Sequence, residues 1–151
     1  QVLIFTQYIK MAHILQFVLE KQFACQIPFF YGGLDKKERD QIIVDFQRGA
    51  FPILLLSLRA GGTGLNLTAA NHVIHFDRWW NPAVENQATD RVHRIGQKQF
   101  VHVHKLIMKN TIEEKIDQLM SQKQDLSDQI LSTENWLLHL SFEEFLQMIT
   151  I

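Results

Sequence analysis

The stretch "QATDRVHRIGQ" sets Gln87, Asp90, Arg91 and Arg94 at a spacing that can do phosphate chemistry. Guanidinium forks match phosphate oxygens bidentately and keep their charge at any physiological pH. On a helix over residues 83–95, steps of 100° put these four side chains on one edge and Ala88, Val92 and Ile95 on a packing edge. Arg91 and Arg94 then project side by side. Such a pair can hold the outer phosphate of a nucleotide and stabilise the charge that develops as it leaves. Gln87 can orient a water or contact an arginine, and Asp90 can hold an arginine in its rotamer. The competing reading is a solvated helix face with an ordinary Asp–Arg pair, which contributes little to stability.

Two loops stand near this stretch. "DRWWNP" (residues 77–82) carries adjacent tryptophans that cannot both be core, because successive residues at a strand end point to opposite sides. Either Trp79 or Trp80 stacks on a nucleic acid, or the second tryptophan covers the helix start as a lid. "RAGGTGLN" (residues 59–66) has three glycines that let backbone N–H groups approach a phosphate, with a structural turn as the alternative. It is not a P-loop, since it has no lysine, and Leu67 occupies the third glycine position of G-x-G-x-x-G. Asp77 follows a hydrophobic strand as a magnesium ligand would, but with no neighbouring acid it reads better as a turn cap. His102 and His104 share a strand face without a third ligand at sensible spacing, so no metal site is expected. His93 points away from the arginine edge and reads as structural.

The elements that must position these residues alternate along the chain. "VLIF" and "ILLLS" read as short buried strands, and "IPFFYGG", "HVIHF" and "VHVHKLI" as further strands. Met11, Ile14, Leu15, Val18 and Leu19 recur at helical spacing, predicting a core-facing helix over about residues 8–22. Asp35 and Glu38 form a capping-box pattern ahead of Ile42, Ile43 and Phe46, and Thr111 with Glu114 precedes Ile112, Ile116 and Leu119. Strands separated by helices imply parallel pairing through right-handed crossovers, an α/β fold with ligands at the carboxyl ends of the strands. The division expected is a main domain over residues 1–126 and a helical extension over 127–151, where "SFEEFLQMI" forms a terminal helix or a stub.

Composition narrows the function classes. The chain has 151 residues, 46% of them hydrophobic, enough for one domain with a core. A net charge of -1 gives no global attraction to nucleic acid, so phosphate binding has to rest on local geometry. Cys25 is the single cysteine, which excludes an internal disulfide and fits a reducing, cytoplasmic setting. No apolar run reaches the length of a membrane span, and no signal peptide is evident. A start on a strand without methionine suggests an excised piece of a longer protein.

"VLIFTQY", "FYGGLDKKERDQIIVDFQ" and "LLLSLRAGGTGLNLTAANHVIHFDRWWNPAVENQATDRVHRIGQ" together resemble the second RecA-like lobe of Swi/Snf-type ATPases, superfamily-two helicase relatives that translocate on double-stranded DNA. The resemblance runs from Val2 to about Leu126, with Q-x-x-D-R-x-x-R, "WNP" and "HRIGQ" as its most specific parts. It implies a three-layer, parallel-sheet RecA-like domain without a P-loop. By position it implies that Arg94 is an arginine finger with Arg91 beside it at the γ-phosphate, and that Gln87, Gly64 and Asn66 line the nucleotide site. Thr6, Gln7, Gly32, Gly33, Arg59 and Gly61 match contacts to the DNA backbone, while Trp80 and Asn81 match the segment coupling DNA contact to ATP chemistry. ATP and Mg2+ would serve the full-length protein and none would bind this fragment alone, because the P-loop lysine and the Asp-Glu pair belong to the family's first lobe. The partners implied are double-stranded DNA and an N-terminal RecA-like lobe of the same polypeptide, with no membrane.

Trp79 departs from the family pattern, in which that position is often small or acidic, so either tryptophan could meet DNA. The compact spacing between motifs points to a bacterial host. Two other classes stay open at this level. One is a non-catalytic nucleotide- or nucleic-acid-binding module. The other, a Rossmann-type oxidoreductase, is disfavoured by the incomplete glycine pattern.

Overall fold

The computed structural model describes residues 1–61, 65–79, 82–92, 97, 99–115, 117–118 and 143. Five strands alternate with helices: β1 (Val2–Thr6), α1 (Ile9–Phe23), β2 (Phe29–Phe30), α2 (Lys36–Gln47), β3 (Ile53–Ser57), α3 (Leu58–Gly61), β4 (His72–His75), α4 (Pro82–Thr89) and β5 (His102–Lys105). The strands form one sheet in the order β2-β3-β1-β4-β5, and every pairing is parallel. The α/β expectation therefore holds, and a strand formed within each expected stretch, although β2 is only two residues long and β5 is exposed.

Side-chain alternation divides the core into two layers around the sheet. Leu3, Phe5, Leu54, Leu56 and Val73 face the side covered by α2 and α4, where Phe46, Ala88 and Val92 meet them. Ile4, Ile53 and Leu55 face the other side, where Ala12 of α1 packs, with Leu15 and Leu19 beside it. The apolar stripe of α1 is rotated from its expected position. Ile14 and Val18 are exposed, as is Phe17, and the buried contact is made by the small Ala12, which lets the helix lie close to the strands.

Helix ends follow local chemistry. Asp35 accepts the Glu38 N–H at 2.8 Å and Glu38 accepts the Asp35 N–H at 3.0 Å, completing the capping box. The chain leaves α2 through Gly49 at φ 82°, a left-handed conformation suited to glycine. Thr111 Oγ1 accepts the Glu113 N–H at 3.3 Å and Glu114 accepts the Asn110 N–H at 2.9 Å, so the expected cap starts the helical residues 112–115.

One topological fact positions the site. β1 sends its chain to the α1 face, while its neighbours β3 and β4 send theirs to the α2 and α4 face. A crevice opens where adjacent connections part in this way, above the carboxyl end of β1.

Candidate functional site

The crevice begins with a clip between β1 and the residues that follow β4. Thr6 is fully buried and its hydroxyl donates to Asp77 Oδ2, while the Gln7 N–H donates to Asp77 Oδ1 at 3.0 Å. Burial raises the Asp77 carboxyl above its ordinary value, and the bonds from Thr6 and Gln7 work against that. Asp77 is therefore not the local turn cap that its sequence context suggested: its carboxylate ties the end of β1 to the segment after β4. Both of its oxygens accept from residues at the end of β1, Thr6 and Gln7. Gln7 reaches onward, its Nε2 donating to the Arg78 carbonyl at 3.2 Å.

Past this clip lies a cleft of about 630 Å3, walled by Gln7, Tyr8, Lys10, Tyr31, Gly32, Gly33, Ser57, Ala60 and Trp79. Three of the residues singled out for the DNA backbone, Gln7, Gly32 and Gly33, therefore share one wall although they lie 25 positions apart in sequence. Gly33 lets the Tyr31 ring lie over it: a Cβ would stand 2.5 Å from Tyr31 Cε2, so the ring would have to shift. Arg59 and Gly61 lie on α3 beside Ala60, whose N–H is capped by Ser57 Oγ at 3.3 Å. Trp79 is half-buried against the α4-side core and still lines the cleft. Trp80 and Asn81 lie outside the described residues.

The nucleotide-side candidates are arranged differently from the helical-wheel expectation. α4 ends at Thr89 and residues 90–92 form a turn; the remainder of the expected helix, residues 93–95, lies outside the described residues. The Arg91 and Val92 N–H groups reach back only three residues, to Ala88 and Thr89, so the last turn tightens and rotates Arg91 off the helix edge. Arg91 is 7% exposed in this lobe, not projecting into open solvent. Its carbonyl accepts the Leu67 N–H at 3.2 Å, which fastens the loop after β3 to the turn and brings Asn66 near it. Asn66 is exposed, its carbonyl held by Gln47 Nε2 at 2.9 Å, and Gln87 is exposed on α4. Gly64, His93 and Arg94 lie outside the described residues.

Sequence reasoning missed the charged cluster beneath the cleft. Glu85 is fully buried; its Oε2 accepts from Arg78 Nη1 at 3.0 Å and Lys105 Nζ at 3.1 Å, and its Oε1 accepts the Trp79 N–H at 3.0 Å. Arg78 also reaches Asp117 at 2.9 Å. A signal was present: Glu85, Ala88 and Val92 fall at i, i+3 and i+7, which puts the acid on the packing face of α4. His75, stacked on Phe5 below α4, meets Thr89 Oγ1 at 3.1 Å. Burial lowers it to about 4, with Glu85 opposing and Lys105 and Arg78 assisting. His72 completes a row with His102 and His104, its Nδ1 lying 3.3 Å from His104 Nε2, a neighbourhood created by the β4–β5 register. Among the described residues no group of three or more potential ligands has a metal-binding arrangement, and no helix is long and apolar enough to cross a membrane.

Residues 1–96 match the helicase conserved C-terminal domain. The chain belongs to that family. This helicase C-terminal domain is of the SWI2/SNF2 type. It is 50% identical to the solved SWI2/SNF2 ATPase core of Sulfolobus solfataricus, with a TM-score of 0.80 over 100% of this chain and 31% of that one. The same core solved in complex with double-stranded DNA matches with a TM-score of 0.80 at 48% identity, over 100% of this chain and 32% of that one. Among curated relatives, YwqA of Bacillus subtilis, named as an ATP-dependent helicase/translocase, is 60% identical over 99% of this chain. The chain spans only 16% of YwqA's length.

Proposed function

We propose that this chain is the second motor lobe of a DNA-dependent ATPase that translocates on double-stranded DNA. The observation that carries the reading is the shared cleft wall of Gln7, Gly32 and Gly33 above β1, in a domain whose solved relative was captured on duplex DNA. Gln7, Gly32, Gly33, Arg59 and Gly61, with Trp80 and Asn81, contact the sugar-phosphate backbone. Thr6 acts through Gln7, since its own hydroxyl is held by Asp77. The narrowness of this track is compatible with a net charge of -1.

Arg94 serves as the finger at the γ-phosphate. Arg91 is its companion at the γ-phosphate, reached when lobe closure draws its buried side chain out. Gln87, Gly64 and Asn66 complete this lobe's share of the nucleotide site. ATP and Mg2+ are held chiefly by an N-terminal RecA-like lobe of the same polypeptide, because this chain offers no P-loop. Taken alone the chain does not hydrolyse ATP. The full protein works on DNA in a bacterial cytoplasm.

The test is Arg94→Ala in the full-length protein. DNA-stimulated hydrolysis should drop by about 10³-fold or more, the range set by arginine fingers, with an unchanged melting temperature. Near-normal turnover refutes the finger. Tight ATP binding by the isolated chain would instead favour a self-contained nucleotide-binding module.

A further inference from the structure

We infer that Glu85 is a positioning residue that makes the tryptophan-bearing wall of the cleft and the arginine-bearing end of α4 move as one body. The inference rests on the motor reading above and goes beyond it by naming the part that transmits motion between the two sides. One carboxylate holds three donors from two segments: Arg78 Nη1 and the Trp79 N–H from the stretch after β4, and Lys105 Nζ from the end of β5. The segment carrying Arg78 and Trp79 is in turn grasped by Gln7, whose Nε2 donates to the Arg78 carbonyl. At the other end, the Glu85 carbonyl accepts Thr89 Oγ1 at 3.1 Å, and Thr89 Oγ1 also meets His75 Nε2, so the last turn before Arg91 is tied to the same residue.

A fully buried anion among cations is a poor device for stability alone, since well-packed apolar side chains of similar volume serve as well or better. What the arrangement supplies is geometry. The Trp79 N–H fixes one oxygen and Arg78 Nη1 the other, so the carboxylate plane cannot turn without breaking a bond in a low-dielectric interior. A displacement of Trp79 by DNA therefore reaches α4 through a stiff connection rather than through a loop.

The experiment reads base pairs travelled per ATP hydrolysed in the full-length protein, from triplex displacement set against phosphate release. That ratio does not depend on the fraction of folded enzyme. Glu85→Asp keeps the charge but shortens the arm by one methylene, so it cannot span the Trp79 N–H and Arg78 together. Its ratio should fall by about tenfold, with the KM for ATP within twofold of wild type. Lys105→Met removes a half-exposed cation and leaves both other bonds, so its ratio should stay at the wild-type value. A wild-type ratio in Glu85→Asp overturns the inference and leaves the motor reading standing. An equal fall in Lys105→Met also overturns it, by showing general loosening. Absence of DNA-stimulated hydrolysis in the wild-type protein removes both. Should Glu85→Asp not fold, Arg78→Lys loosens the same bridge from the opposite side, and a wild-type ratio there overturns the inference equally.

Discussion

Acid should weaken this lobe through His75. Burial lowers its ionisation from 6.5 to about 4, so the folded state holds it neutral where the unfolded chain would protonate it. Between these values the unfolded state binds more protons, and stability rises with pH. The contribution is fully present above the unfolded value and is lost as pH falls toward the folded one. Linkage arithmetic gives a loss of about 2 kcal/mol between pH 7 and pH 5, growing to about 3 kcal/mol at pH 4. Urea unfolding at those pH values measures it, with His75→Gln as the reference because glutamine can still reach Thr89 Oγ1 but does not titrate. Asp77 and the other acids are present in both proteins and cancel in the difference. Identical pH slopes for wild type and His75→Gln would refute the reasoning, and with it the idea that His75 is held dry and neutral under α4.

Four further substitutions read the local chemistry by urea unfolding. Asp35→Ala removes the acceptor of the α2 capping box and should cost about 1 kcal/mol. Ala24→Gly should stabilise by about 0.5 to 1 kcal/mol, because Ala24 ends α1 in the left-handed region at φ 50°. Gly33→Ala forces the Tyr31 ring aside and should cost about 1 kcal/mol, whereas Gly32→Ala, with nothing within 4 Å of its Cβ, should cost less than half of that.

β1, β2 and β3 were legible because each is a short apolar run, and the α2 start because Asp35 and Glu38 advertise their cap. The family was legible because its motifs are dense between residues 54 and 97. The end of α4 was not legible. Running the helical wheel past Thr89 ignored that a helix can tighten at its end, and that one rotation hid Arg91. The tilt of α1 was also illegible, since its sequence offers apolar residues on most sides, and only the closeness allowed by Ala12 selects among them. The Glu85 cluster escaped because its cations come from β4 and β5 ends whose proximity is a product of strand register. The arginine and glycine assignments came from likeness to relatives, and the cleft is what gives part of them a common location.

The direction shared by all five strands has an evolutionary consequence. Every segment that leaves a carboxyl end emerges on the same rim, while the hydrophobic layers lie below it, so the rim's lettering can drift without disturbing the interior. Relatives with different tasks on DNA can therefore keep one chassis and diversify at its edge. Grafting the segment after β2 from a distant relative onto this lobe should change what it grips while leaving its unfolding transition nearly in place.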